Sequence, residues 1–261
     1  MSIDDKAIGK DGFTILSNTV SGKIAMMLES TNGEELTNAF SLFDDADLLK
    51  IKSISSDMSP TYLKLCEEQL PCTQIVIDKF HVMRYVYDAV LAVRLKIKKE
   101  LAEQLTNGKK KTEQDKTILH EISLLNRSIR KLTQSPEKWS QITKELMTQL
   151  FSKHKTLKQA YDLSQNFKKW YDINNHQSDI TKIRDRLWEW YQQVKVSEIE
   201  DFTSVIKMIR KHEDLILNYF QRGHTNANAE RLNGKIQRFV SANYGTRDKN
   251  FSLYRIANYF S

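Results

Sequence analysis

Short runs alternating apolar and polar residues fill the first part of the chain, and near residue 80 they give way to a helical period. Met1 to Asp4, Phe13 to Val20, Lys23 to Glu29, Leu49 to Asp57 and Thr73 to Asp78 are rich in Ile, Val, Phe and Thr. Gly or Asp/Ser clusters separate them, and the pattern predicts strands. Two helical stretches interrupt these runs. Glu34 to Phe43 places Leu36, Ala39, Phe40 and Phe43 on one face, and Thr61 to Leu70 follows the turn signal Ser59-Pro60. The order β-β-β-α-β-α-β predicts an α/β domain with a mixed sheet covered by helices.

From Phe80 to about Arg222 the period is helical almost throughout. It opens with a long stripe of Val82, Val86, Val90, Val93, Ile97, Leu101 and Leu105. Further helices are expected over Lys116–Thr133, Pro136–Lys153, Leu157–Ile173, Ile180–Val194 and Phe202–Phe220, with Pro136 in a first turn. Trp139, Trp170, Trp188 and Trp190 all fall in this block, and aromatics at helical spacing read mostly as core. Lys109-Lys110-Lys111 follows Asn107-Gly108 and reads as a solvated loop that can also touch phosphates. A last helix is expected after Gly223, capped by Thr225 or Asn226 and running through Glu230 to Val240. Its apolar stripe is Ala229, Leu232, Ile236, Phe239 and Val240. Glu230 lies on a polar face with Gly234 and Gln237, and Arg231, Lys235 and Arg238 lie beyond it. That arrangement suits an acid that meets a metal while its neighbours meet phosphates, but on pattern alone an ordinary amphipathic helix is the favoured reading. The expected division is therefore 1–79 for the sheet, 80–222 for a helical block and 223–261 for a C-terminal helical part.

Composition narrows the field without deciding it. The chain of 261 residues has 40% hydrophobic residues, 3 Pro and 8 Gly, which suits a helix-leaning globular protein large enough to bury a core. No apolar run approaches the roughly 20 residues needed to cross a bilayer. The acidic start Met1-Ser2-Ile3-Asp4-Asp5 lacks the features of a secretory signal, so the expected location is cytoplasmic. Cys66 and Cys72 match no metal-binding spacing and are assigned no role. A net charge of +7 favours a polyanionic partner.

Four segments in order then carry a resemblance. They are Ser2-Ile3-Asp4-Asp5-Lys6-Ala7, Ser56-Asp57-Met58-Ser59-Pro60-x-Tyr62, Ile77-Asp78-Lys79-Phe80-His81-Val82, and Thr225-Asn226-Ala227-x-Ala229-Glu230-Arg231-Leu232-Asn233-Gly234-Lys235-Ile236. Together they resemble the bacterial insertion-sequence transposases with a DDE active site in the ISL-three group. The likeness is nearest to Bacteroidetes-type elements, where Asn243-Tyr244-Gly245-x-Arg247 and Tyr254-Arg255-Ile256 also resemble the ending. It covers nearly the whole chain.

The resemblance implies an RNase H-like fold, a mixed five-stranded sheet with helices, interrupted by a large all-helical insertion that the block 80–222 would supply. It implies catalytic and metal-binding roles for Asp4, Asp57 and Glu230, which would hold two divalent ions, Mg²⁺ or Mn²⁺. Neighbouring strand residues face opposite sides, so Asp4 and Asp5 cannot both reach the same ions, and Asp4 matches the family's first acid. Asp5, Asp78, His81 and Asn233 are accessory candidates. Asp57 also reads as a cap for the helix after Pro60, and Asp78 as a cap for the long helix. His81 reads either as a residue that positions DNA or a metal-bound water, or as a satisfied core histidine.

Arg231, Lys235 and Arg238 are expected to bind DNA. The implied partners are DNA, as element ends and as target, and further copies of the chain in a transposition complex associated with the nucleoid. Family members usually carry zinc-ribbon and helix-turn-helix segments ahead of the catalytic domain, and only Met1 to Ile3 precede Asp4. The expectation is a separate N-terminal DNA-binding protein from the same element, or a truncated copy. The alternatives are an inactive or domesticated DNA-binding remnant, another RNase H-like nuclease, or a purely structural interaction protein.

Overall fold

The computed structural model describes residues 1–8, 11–105, 112–175, 177, 179–221, 231, 232, 234–236, 238, 239 and 249–260. Chain contacts divide it into two compact units, residues 1–81 with 212–261, and residues 82–211.

The first unit is built on a mixed sheet of β1 (Ser2–Ile8), β2 (Asp11–Asn18), β3 (Lys23–Leu28), β4 (Ser53–Ser56) and β5 (Gln74–Ile77) in the order β3-β2-β1-β4-β5. β1, β2 and β3 pair antiparallel, whereas β4 lies parallel to both β1 and β5. This five-stranded mixed sheet with helices is the RNase H-like α/β arrangement. The helices α1 (Gly33–Phe40), α2 (Asp45–Leu48) and α3 (Pro60–Gln69) fall between the strands. α1 is capped by the Asn32 side chain, and α1 and α3 bury Leu36, Phe40, Tyr62, Leu65 and Cys66.

Two strand limits differ from the hydrophobic pattern. β1 continues past Asp4 to Ile8 because β2 pairs with it along its whole length, so the polar positions Asp5 and Lys6 stay extended. At its start, Met1 accepts a hydrogen bond from the Ser55 amide (2.9 Å) and donates one from its nitrogen to the Ser53 carbonyl (2.8 Å). Leu49 to Ile51, expected as strand, instead close the turn after α2, where the Leu49 and Ile51 amides bond back to Asp45 and Leu48. β4 is left with four residues.

The remaining helices are α4 (Lys79–Glu103), α5 (Glu113–Leu132), α6 (Gln141–Lys153), α7 (Lys155–Asn174), α8 (Ile180–Ser197), α9 (Glu200–Lys211), α10 (Glu213–Gln221) and α11 (Lys249–Phe260). Between the last two, the described residues of 231–239 are helical. The stretch expected as one helix over Phe202–Phe220 is two helices, and only α9 belongs to the helical unit. α10 belongs to the sheet unit. It covers the outer edge of β5, donating from Asn218 Nδ2 to the Ile75 carbonyl (2.8 Å), while Gln74 Nε2 donates to Gln221 Oε1 (2.7 Å). A polar helix face thus satisfies edge groups that would otherwise invite pairing with another strand.

Pro136 opens a short 3-10 turn, Pro136–Lys138, and α6 starts only after Ser140, whose hydroxyl accepts from the Thr143 amide. α5 starts three residues before the expected Lys116, because Thr112 and Asp115 form a reciprocal capping box that satisfies the first amides of the helix.

The helical unit packs around aromatics. Phe167 lies 4.6 Å from Trp190 and 5.3 Å from Trp170 between ring centroids, and Tyr171 meets it edge-on at 5.6 Å. Three indoles donate to backbone carbonyls: Trp139 to Lys131, Trp170 to Ile183 and Trp190 to Leu163. Large rings therefore fill the interior while these three indole N–H groups stay paired. Trp188, by contrast, is exposed. Cys66 is buried, and burial pushes its thiol up to about 12, whereas Cys72 is exposed. Among the described residues no helix is long and apolar enough to cross a membrane. Lys109, Lys110 and Lys111 lie outside the described residues.

Phe167→Ala should lower the stability of the helical unit by about 3–5 kcal/mol, because it removes a fully buried ring from a packed aromatic cluster. Val196→Ala, at a position 82% exposed, should change it by less than about 0.5 kcal/mol. Urea unfolding followed by tryptophan fluorescence reads this unit directly, since all four tryptophans lie in it.

Candidate functional site

Strand register organises the site. β1 pairs antiparallel with β2 so that Asp4 faces Ile15, and Ile15 in turn faces Met27 of β3. On the other side of β1, Ser2 is level with Ser55 of β4, and Ser56 is level with Ile77 of β5. Continuing these parallel registers brings Asp57 level with Asp4, and Asp78 level with Asp57. The Asp78 amide, which donates to the Ser56 carbonyl at 3.0 Å, holds that extension in place. Directly opposed residues share a sheet face. Met27, Ile15, Asp4, Asp57 and Asp78 thus form one row across all five strands, apolar at one end and acidic at the other.

The two ends of the row are treated differently. Ile15 is buried in a cluster with Ile24, Leu232, Ile236, Ile256 and Phe260, and Met27 packs against it. The helical residues of 231–239 and α11 therefore cover the apolar half of the face that also carries Asp4. Leu232 and Ile236 belong to the stripe expected to seat the last helix on the sheet. Glu230 itself lies outside the described residues, as do Ala229, Asn233, Gln237 and Val240. It directly precedes Arg231 and Leu232, the latter being seated on this face.

Local turns hold the other acids. Asp57 stands just past the carboxyl end of β4 and accepts from the Ser59 amide through Oδ1 at 2.8 Å. That is a turn ahead of α3, whose own N-cap Ser59 makes no side-chain cap bond. Asp78 does the same at the start of α4, accepting from the Phe80 amide at 2.9 Å, so the capping role read for it is real. Its second oxygen lies 3.6 Å from His81 Nδ1, an ion-pair separation too long for a hydrogen bond. Asp5 is exposed, its amide donates to Asp4 Oδ1 at 2.9 Å, and it faces Thr14 on the opposite side of the sheet.

Charge crowding marks the row. Burial pushes the Asp4 carboxyl up to about 6; His81 and the Asp5 amide pull the other way, and the Asp5 and Asp57 carboxylates add to the rise. Contact with Asp78 raises His81 above the ordinary imidazole range against the opposing effect of burial, and Asp4 and Asp57 contribute as well. His81 thus lies within electrostatic reach of Asp78, Asp4 and Asp57, all of which favour its protonated form. Among the described residues, no group of three His, Cys, Asp or Glu side chains is arranged to hold a metal ion by itself.

One residue carried in the sequence motif but given no role there is Tyr62. On the far face of the sheet its hydroxyl lies 2.9 Å from Thr14 Oγ1, and burial together with the nearby acids raises the phenol to about 12. It stays protonated at neutral pH and braces β2 against α3 behind the acidic row. Its fixed place two residues after Pro60 was the signal that marked it.

An RNase H-like sheet with Asp4 inside β1 and Asp57 and Asp78 just past the carboxyl ends of β4 and β5 defines the class of the protein. A family model described as a transposase, of the DDE type in the ISL-three group, matches residues 1–257. The chain belongs to that transposase family, whose members act on DNA. No curated protein and no solved structure matches it.

Asp4 binds its proton more tightly in the folded chain, about 6, than the ordinary carboxyl value of 3.8. Its contribution to stability is therefore complete below about pH 4 and is lost as pH rises through 6. Asp4→Asn removes that loss and keeps an oxygen to accept from the Asp5 amide. At pH 7.5 in EDTA the variant should be more stable than wild type by on the order of 1–3 kcal/mol, the upper end being reduced by partial solvation of the site. The difference should vanish near pH 4. Thermal melts across that range decide it, and a gain independent of pH would contradict the assignment.

Proposed function

We propose that this transposase cuts the ends of its insertion sequence and joins the released 3′ ends to target DNA, with Asp4, Asp57 and Glu230 as the catalytic carboxylates. The observation that carries the reading is the row that brings Asp4 and Asp57 side by side on the face where the helix following Glu230 is seated. The family match makes DNA the substrate.

Divalent ions, Mg²⁺ or Mn²⁺, are implied by the family, and the residues present fit them. Asp4 and Asp57 offer hard carboxylate oxygens, and Asp4, raised chiefly by burial with Asp5 and Asp57 adding to the rise, is a group whose charged form a bound cation would favour. Asp4, Asp57 and Glu230 would hold the ions. Bound there, two ions supply Lewis acidity that activates the attacking oxygen and stabilises the departing one.

The chain's own residues then have separable tasks. Asp57 keeps one oxygen on the Ser59 amide, which fixes the direction of its carboxylate. Asp78 anchors the start of α4 and with it His81, which reaches the row from one turn into the helix. His81 is a positioning residue that offsets carboxylate charge and stands where a DNA phosphate would approach. Arg231, Lys235 and Arg238, all exposed, contact the backbone of the same DNA. The helical unit, residues 82–211, is the insertion between the second and third acids.

Asp57→Asn and Glu230→Gln keep size and shape while removing one negative charge each. In Mn²⁺ or Mg²⁺, with DNA carrying the element's ends, each should lower cleavage by roughly a hundredfold or more, with folding and salt-dependent DNA binding retained. A Gln variant that cuts at the wild-type rate would remove Glu230 from the site.

A further inference from the structure

A second feature of the sheet face lies away from the carboxylate row. At the outer edge, the turn between β2 and β3 meets the C-terminal helices around a cleft of about 640 Å³ lined by Lys23, Lys235, Arg238, Phe239 and Tyr259. The turn is set locally. Asn18 accepts from the Val20 and Ser21 amides, and Gly22 adopts φ +69°, a conformation costly for other residues. This delivers Lys23 to the start of β3, beside the helices.

The cleft is cationic on one wall and aromatic on the other. Lys23, Lys235 and Arg238 come from two separate elements, and none has an ion-pair partner among the described residues. The described residues of 231–239 together with α11 carry Arg231, Lys235, Arg238, Lys249 and Arg255 and no Asp or Glu. Tyr259 is 71% exposed, which is not the behaviour of a core ring. It is nevertheless held in place: its ring lies 5.5 Å from Phe239 and 4.8 Å, edge-on, from the buried Phe260. Arg255 sits over the Phe239 ring at 5.4 Å and stiffens the same wall.

A fixed, exposed ring beside unpaired cations suits one occupant above others. Duplex DNA hides its bases and offers the ring nothing to stack on, whereas an unpaired strand offers base and phosphate together. A second copy of the chain would bring like charges together, so the excess of cations disfavours self-association here. We infer that this cleft binds single-stranded DNA, with a base stacked on Tyr259 and adjoining phosphates on Lys23, Lys235 and Arg238. By strand and residue spacings Lys23, at the sheet edge, is roughly 15 Å from Asp4, within reach of a strand leaving the carboxylate row. The cleft would hold a few unpaired nucleotides next to the cleavage point. The inference rests on the proposed function only for the choice of DNA as the polyanion.

The test uses the full chain in EDTA, where binding is read without cleavage, and fluorescence anisotropy with labelled oligo(dT). Tyr259→Ala should weaken binding about tenfold and Tyr259→Phe should leave it close to wild type. An abasic oligonucleotide of the same length should bind wild type and Tyr259→Ala equally. Lys23→Ala, on a different element, should lower the salt slope by about 0.7. The inference is overturned if Tyr259→Ala binds oligo(dT) as wild type does. It is also overturned if blunt duplex shows the same dependence on Tyr259, or if Tyr259→Ala instead abolishes a dimer seen by sedimentation. These outcomes are separate from those for the carboxylates: an Asp57→Asn chain that has lost cleavage but still binds oligo(dT) through Tyr259 leaves the cleft standing, and the reverse leaves the active site standing.

Discussion

Parallel pairing of β4 with both of its neighbours is the constraint on which the site depends. Because β1, β4 and β5 run the same way, the residues that follow each pairing stay level, and Asp4, Asp57 and Asp78 arrive in one row. Antiparallel pairing at either position would reverse the direction of one strand and carry its acid to the other end of the sheet. Burial is costly for the Asp4 carboxylate and raises it to about 6, with Asp5 and Asp57 adding to the rise. His81 answers part of it, drawn in by Asp78 at the first turn of α4.

The same row explains why the C-terminal helices sit where they do. Its apolar half needs a cover, and Leu232, Ile236, Ile256 and Phe260 supply one by burying Ile15 and Ile24. That cover is seated by Leu232 and Ile236 on the same sheet face that carries Asp4. On the opposite face, Tyr62 and Thr14 close the sheet against α3 and keep β2 in register behind Asp4. α10 protects the β5 edge through Asn218.

The helical unit obeys different rules. Its order comes from rings packed at 4.6 to 5.6 Å around Phe167 and from indoles that donate to backbone carbonyls. The only buried arginine described there, Arg94, donates to the Leu125 carbonyl, and burial lowers its proton affinity. These interactions give the helical unit a packed core of its own.

The strand order, the long helix from Lys79 and the seating stripe of Leu232 and Ile236 were legible in the chain, because apolar periodicity reports directly which side of an element is buried. The resemblance to the ISL-three transposases likewise picked out Asp4 and Asp57 from local motifs, and the family match over 1–257 agrees with it. Periodicity did not mark where β1 and β4 end, since Asp5 and Lys6 are kept extended by β2 and Leu49 is drawn into a turn by α2. Nor did it reveal that α10 leaves the helical unit, because an amphipathic helix reads the same whichever core it joins. The common row of Asp4, Asp57 and Asp78, the approach of His81 to it and the meeting of Lys23 with Tyr259 depend on register between strands far apart in sequence. That register is set by packing the whole sheet, and only the tertiary structure could decide it.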